Sequence, residues 1–350
     1  MLTLLDAAAS PSPGMEEPVQ VVSLPRGEDL EVLERRPPSY PRNAARSGKE
    51  GWVRLGFVVT ETGKVEEIET YQLAAQDDEH ERFAARAVTA IKRWEFKPAT
   101  VAGEPVRRSG RQLMYFTLYP EQLVISPGLD RIGREALEAV STDDPARLEA
   151  SLEAMTDLGL LKIGDYGYFD LFSAELARMQ GDNALVLAHA DRAMPMFRDS
   201  PATWAEHRLL RLRFQAYWQT QRLADALDEY ATLVEADTAL APDDPIHDLA
   251  ALVEQELASD QPLVTPGAIT PCLLCLDDEP FFGRTLSRPR FSLEARPGSI
   301  TKLRLICPPA GVDLTWAEGR TWELEDFRKG CSVTVSGEAN AEVRLVQHPE

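Results

Sequence analysis

No stretch of the 350 residues approaches the roughly 18 consecutive apolar positions that a spanning helix needs, so the sequence shows no transmembrane segment. Cysteine is scarce, with Cys272, Cys275, Cys307 and Cys331 all lying beyond residue 271. The five histidines, His80, His189, His207, His247 and His348, are scattered, and none forms a metal-spaced pair. A G-x-S-x-G elbow, a Walker loop and a dinucleotide fingerprint are all missing. Asp143-Asp144 and Asp243-Asp244 each precede proline, which is helix-start chemistry before it is acid–base chemistry. No catalytic residue, metal site or cofactor is therefore expected, and the chain does not read as an enzyme. Positive charge is also short: 37 basic against 57 acidic residues leave a net charge of -20, which argues against general affinity for nucleic acid or anionic membranes.

The composition, 44% hydrophobic and 27% charged, is that of a soluble globular chain long enough for two or three domains. The acidity is local. Residues 37–120 carry 13 basic and 11 acidic side chains, whereas 121–262 carry 11 and 27, a pattern that solvated helix faces explain. Residues 1–36 read as a disordered tail or signal remnant. Met1 to Ser10, MLTLLDAAAS, has the apolar run and small-residue end of a secretory signal but no basic n-region, and residues 11–30 lack usable periodicity.

In Trp52 to Thr60, Val53, Leu55, Phe57 and Val59 alternate with Trp52, Arg54, Gly56 and Val58, the period of a strand with one buried face. The Glu61-Thr62-Gly63-Lys64 turn and a second strand from Val65 to Leu73 complete a hairpin. Between Arg82 and Trp94, Phe83, Ala84, Ala87, Val88, Ile91 and Trp94 fall at helical spacing. Pro98 stops any continuation, Gly103-Glu104-Pro105 turns the chain, and Gln112 to Leu118 reads as a third strand. The order is strand, strand, helix, strand. The last strand, Arg111 to Leu118, carries apolar groups on both faces, so one face can cover the helix while the other meets a partner.

Several residues of this region carry a family resemblance: Pro38-Ser39-Tyr40-Pro41, Gly51-Trp52-Val53, Thr62-Gly63-Lys64-Val65, Ala87-Val88, Arg93 through Ala99 (RWEFKPA), Gly103 through Val106 and Phe116. Together these make residues 37–120 resemble the C-terminal domain of TonB-type energy transducers. The resemblance implies a periplasmic ββαβ domain that pairs its last strand with an extended segment of an outer-membrane TonB-dependent receptor. Partner binding by β-augmentation would then fall on Arg111, Gln112, Leu113, Met114, Tyr115, Phe116 and Thr117. Tyr40, Pro41, Gly63, Trp94, Phe96 and Pro98 are the family motif. Trp94, Phe96 and Phe83 are expected in the core, and Tyr40-Pro41 divide evenly between chain entry and a contact role. Capping of the edge by residues 20–36, or by a second copy in a homodimer, is the competing arrangement. A complete transducer also has an N-terminal membrane helix and a Pro-rich spacer, whereas about 36 residues precede the domain here. Membrane attachment thus depends on an inner-membrane anchor upstream of the given start.

Residues 128–262 turn helical, rich in Ala, Leu, Arg and Glu with apolar spacings of three and four. Two stretches resemble tetratricopeptide (TPR-like) hairpins, around Ala174, Gly181-Asp182, Ala190 and Ala193 and around Tyr217, Ala226 and Tyr230, with a 40-residue offset if Val186 and Ala226 are equivalent. Residues 268–350 read as a small all-β, sandwich-like domain, with runs at Arg290 to Ala295, Ser299 to Cys307, Thr321 to Leu324, Cys331 to Ser336 and Ala341 to Gln347. Four cysteines confined to this domain favour two disulfides, Cys307 with Cys331 at strand ends and Cys272 with Cys275. Buried free thiols are the rival reading. A zinc site is disfavoured, because the C-x-x-C lacks a second close pair.

The fold class expected is thus α+β multidomain. The function expected is that of a TonB-family periplasmic protein that binds protein segments by strand addition, linked to energy-dependent transport. A soluble periplasmic scaffold or envelope-assembly protein without force transduction is the alternative.

Overall fold

The alternating run after Gly51 becomes the centre of a sheet. In a computed structural model, which describes residues 19–24, 26, 28–74, 79–119, 123–198, 200–270, 280–308 and 310–349, the first elements are β1 (Gln20–Val22), β2 (Glu31–Glu34), α1 (Arg42–Arg46), β3 (Gly51–Val59) and β4 (Val65–Ala74). They are followed by α2 (His80–Ile91), β5 (Glu95–Lys97), β6 (Ala99–Val101), β7 (Glu104–Val106) and β8 (Arg108–Phe116). An antiparallel sheet runs β4-β3-β8, with Val59 facing Val65 and Gly51 facing Phe116. Val53, Leu55, Phe57 and Val59 share one core with Phe83, Ala87, Ala90 and Ile91 of α2 and with Met114 and Phe116 of β8. The helix ends at Ile91, three residues before the expected Trp94, yet the indole stays in that core because a turn at Lys92-Arg93 folds it back. The last strand begins at Arg108, four residues before the expected Gln112, and ends at Phe116, two before Leu118.

The tail reading needs correction from residue 20 onward. β1 pairs in parallel with β14 (Thr321–Leu324), and β2 pairs antiparallel with β5. The Ala102 and Thr100 amides donate to Arg26 O and Glu28 O, so 26 faces 102, 28 faces 100, 31 faces 97 and 32 faces 96 in one constant register. Neither stretch shows a period of its own, because the strands supplying its hydrogen bonds lie far along the chain. The segment caps β14 and β5, not β8.

The helices are α3 (Leu129–Ser141), α4 (Pro145–Leu158), α5 (Ile163–Met179), α6 (Asn183–Phe197), α7 (Thr203–Gln219), α8 (Leu223–Ala236) and α9 (Pro245–Leu257), each packed on its sequence neighbour. Three of the connections use one device. Asp143, Gly181 and Gln221 all take positive φ, and the amide that follows each of them donates back to Ala139 O, Ala177 O and Tyr217 O. These are Schellman-type stops that satisfy otherwise orphaned carbonyls. Their spacings are 38 and 40 residues, and Ala174, Ala190, Ala193 and Ala226 are all buried where the helices meet.

The last stretch comprises β9 (Leu263–Ala268), β10 (Phe281–Thr285), β11 (Arg290–Ala295), β12 (Ile300–Cys307), β13 (Ala310–Leu314), β14, β15 (Ser332–Gly337) and β16 (Glu342–His348). Two sheets, β1-β14-β11-β16-β9 and β10-β15-β12-β13, enclose Phe282, Phe291, Leu305, Trp322, Val333 and Leu345. The Cys307–Cys331 disulfide joins the end of β12 to the entry of β15 inside this core, whereas the Cys272–Cys275 expectation lies outside the described residues. Arg288 ties this unit to the helices. Its buried guanidinium donates to Leu257 O at 2.8 Å, Ser259 O at 2.7 Å and Gln261 O at 2.6 Å, closing the carbonyl end of α9.

At its other end α9 is capped by Asp244, which accepts from the Ile246 amide at 2.9 Å and forks with Arg211 at 3.0 and 2.7 Å. The Arg211 hydrogen bonds pull its carboxyl from 3.8 down to about 2. A folded-state value below the unfolded one means stabilisation that is complete above pH ~4 and lost as pH falls toward 2. Replacement Asp244→Ala should cost about 1–2 kcal/mol at neutral pH. Urea midpoints of the two proteins should converge between pH ~4 and ~2, following the protonation of this carboxylate.

Candidate functional site

Among the described residues β8 is bonded on one side only, to β3. Alternate backbone N–H and C=O groups of such a strand point away from its partner and are open to another strand. The expected contact residues divide by direction. Arg111 is exposed, and the Gln112 side-chain amide donates to Leu113 O at 2.6 Å. Met114 and Phe116 turn into the core under α2. Leu113 and Tyr115 turn the other way, with Trp52, onto Ile163, Tyr166 and Met196 of α5 and α6. That outer face was expected to meet a partner. The helices cover its Leu113 and Tyr115 end instead, because Ile163, Tyr166 and Met196 offer an apolar surface within the chain that keeps Trp52 from water, whereas Ser109 and Arg111 on the same face stay exposed. Burial pushes the Tyr115 hydroxyl above its usual range, and neither it nor the Trp52 indole N–H has a hydrogen-bond partner among the described residues.

The joint between sheet and helices is built on Glu50, which is 2% exposed. Its Oε1 accepts from the Leu118 amide at 2.7 Å and its Oε2 from the Ile163 amide at 3.1 Å, while its own amide donates to Leu161 O at 2.7 Å. Thr117 Oγ1 donates to the same carboxylate at 3.4 Å, which fixes the exit from β8. Lys162 Nζ donates to Gly48 O at 2.6 Å. Three residues onward, Asp165 is wholly buried and accepts from the Ser126 amide and hydroxyl and from the amides of Leu161 and Lys162, at 2.5 to 2.9 Å. Nothing local in the sequence marks Glu50, whose donors lie 67 to 113 residues away, whereas Asp165 also closes a local capping box at the start of α5.

The motif residues hold the domain together. The Tyr40 hydroxyl donates to Lys49 O at 2.7 Å and to Phe116 O at 3.3 Å, and its ring meets Phe83 and Phe116 edge-on. Pro41 is buried at the start of α1. Gly63 sits at φ 81°, and a Cβ there would come within 2.2 Å of Phe96 O, so the turn demands glycine twice over. Trp94 donates its indole N–H to Arg36 O at 2.9 Å and stacks on Phe96, whereas Pro98 separates β5 from β6. Beside Tyr40, an open cleft of about 760 Å³ is lined by Ser39, Arg42, Arg82 and Arg86. No cluster of His, Cys, Asp and Glu suited to a metal ion occurs among the described residues.

Residues 36–118 match the family described as Gram-negative bacterial TonB protein C-terminal. This part of the chain is a TonB-type C-terminal domain. Protein TonB of Pseudomonas aeruginosa is 28% identical over 90 residues, which are 26% of this chain and 25% of that protein, so the chain spans about a quarter of the length of the curated relative it matches. Among solved structures, the solution NMR structure of the Pseudomonas aeruginosa TonB CTD shares 29% identity, covering 28% of this chain and 93% of that one, with a TM-score of 0.22. The tonb2 protein from Vibrio anguillarum shares 23%, covering 33% and 95%, with a TM-score of 0.20.

Replacing Glu50 with Ala removes the acceptor and leaves the Ile163 amide buried and unpaired, at about 1–3 kcal/mol, and the partly buried Leu118 amide without its partner. The TonB-type domain should stay folded while the joint loosens. Amide exchange at Leu118 and Ile163 should quicken at least about tenfold, with Phe83 to Ile91 unchanged, each factor of ten being ~1.4 kcal/mol of local stability.

Proposed function

We propose that this is a TonB-family protein of the periplasm that binds an extended segment of an outer-membrane TonB-dependent receptor, or of another envelope protein, by adding it as a strand along β8, in the service of energy-dependent transport. The observation that carries this reading is that β8 lacks a second strand neighbour among the described residues while the Leu113 and Tyr115 end of its outer face is covered by α5 and α6. Recognition then falls to the backbone edge over Arg111 to Thr117.

About five added backbone hydrogen bonds at ~0.5–1.5 kcal/mol each must offset association costs of several kcal/mol, so the ladder alone binds weakly. Further contacts are needed. The cleft beside Tyr40, whose hydroxyl reaches the Phe116 end of β8, supplies Arg42, Arg82 and Arg86 and suits an acidic residue of the incoming segment. The family motif residues act by holding β8 in place, not by touching the partner.

A second reading, a periplasmic scaffold without force transduction, draws on the helical hairpins that Glu50 fastens to the domain. Read as a TPR-like array of 38- to 40-residue units, they give the chain a further surface for protein segments. Neither reading assigns a catalytic residue or a cofactor.

Proline scanning of the edge tests the main reading. Of Gln112→Pro and Leu113→Pro, one deletes an N–H facing β3 and destabilises the domain, while the other deletes an outward N–H. The outward variant should fold normally yet lose at least about tenfold in affinity for plug-side receptor segments, roughly 1.4 kcal/mol. Undiminished binding by both variants would dismiss strand addition at β8. Partners retained in cells that lack the proton-driven motor would favour the scaffold.

A further inference from the structure

The chain already holds one added strand, in a place unrelated to β8. β1 is an arm laid parallel to β14, with Gln20 facing Trp322, Val21 facing Glu323 and Val22 facing Leu324, and the Glu325 amide donates to Val22 O at 3.1 Å. Val22 and Leu24 sink into the core that holds Trp322 and Leu324, at 8% and 5% exposure, while Val19 and Val21 stay outside. Two residues further on, Arg26 reaches Asp326 at 2.9 Å.

The two halves of this arm are held unequally. Residues 28–34 are fixed by the ladder to 95–100 and by Leu30 and Val32 against the domain core, with the exposed Lys97–Glu28 and Arg108–Asp29 pairs adding little. Residues 20–24 have a three-residue ladder and two buried side chains, with the exposed Arg26–Asp326 pair beyond them, an interaction worth little in water. Release at residue 24 therefore leaves the second half in place. It uncovers a strand edge flanked by two apolar sites and an acidic residue.

We propose that β14 is a second strand-acceptor edge, in which residues 20–24 are a resident, displaceable strand, and that the segment replacing them is an extended protein segment with apolar residues at alternate positions and a basic residue two positions on. The resident arm is the template for that chemistry. Val22 and Leu24 define the apolar pair, Asp326 selects the basic residue, and the parallel ladder to β14 sets the direction. Linkage within one chain gives the arm an effective concentration on the order of millimolar, so a competitor gains the edge only when the arm is weakened or pulled away. This inference stands apart from the reading of β8, since the two edges belong to different sheets.

The test uses the full chain and a fluorescein-labelled peptide of residues 19–28. The variant Val22→Asp/Leu24→Asp should bind the peptide at least about tenfold more tightly than the unaltered chain, which is a shift of ~1.4 kcal/mol. A peptide with serine in place of both apolar residues should not bind. Absence of peptide binding to the variant, with exchange protection of β11 and β16 intact, would overturn the proposal. Should the variant fail to fold, amide exchange in the unaltered chain decides. Exchange at Val22 and Glu325 far faster than at Leu293 and Leu345 supports a displaceable arm, and equal exchange shows a permanent seam and overturns it.

Discussion

A buried carboxylate cannot be left unpaired, and that of Glu50 accepts from the exit of β8 and the first turn of α5, while the residue's amide donates to the loop before α5. The sheet of the TonB-type domain and the helical hairpins are thereby joined at one point, and the apolar contact of Trp52, Leu113 and Tyr115 with Ile163, Tyr166 and Met196 closes around it. The arrangement decides where function can sit. With α2 on one face and α5 and α6 over the Trp52, Leu113 and Tyr115 end of the other, what the sheet leaves open is chiefly its edges, β4 and β8.

The same logic recurs at the other junctions. Arg288 ends α9 by filling its orphaned carbonyls from the loop before β11, and Lys329 reaches Asp228 on α8 at 2.7 Å. The arm contributes strands to two sheets, one in each terminal unit, so the first and last parts of the chain are linked directly as well as through the helices. Val101, in the β6–β7 hairpin, packs against the core around Trp322 and adds an apolar contact to that link.

Much of this was legible from residues alone. The alternation of Val53, Leu55, Phe57 and Val59 and the stripe of Phe83, Ala87 and Ile91 each encode one buried face, and the structure buries those faces. The family motif identified the first domain because each of its members answers a steric need, as Gly63 against Phe96 O shows. Cys307 with Cys331 was readable from strand ends. What the sequence hid depends on distant partners. Gln20–Val22 is a strand because Trp322–Leu324 lies beside it, some 300 residues on. Leu113 and Tyr115 looked like a partner surface because nothing near them in sequence announces α5. Glu50 could not be singled out from sequence, because the amides that need it lie 68 and 113 residues on.

In the proposed function the edge of β8, and not a face of the sheet, receives the partner. Residue-resolved amide exchange on the full chain, with and without an extended plug-side receptor segment, tests it most directly. The account predicts new protection at alternate amides between Arg111 and Thr117, with the Trp52 and Tyr115 side-chain signals unmoved because α5 and α6 stay in place. Unchanged exchange along β8 together with shifts at Trp52, Tyr115 and Tyr166 would contradict it, since the partner would then be entering through the covered face.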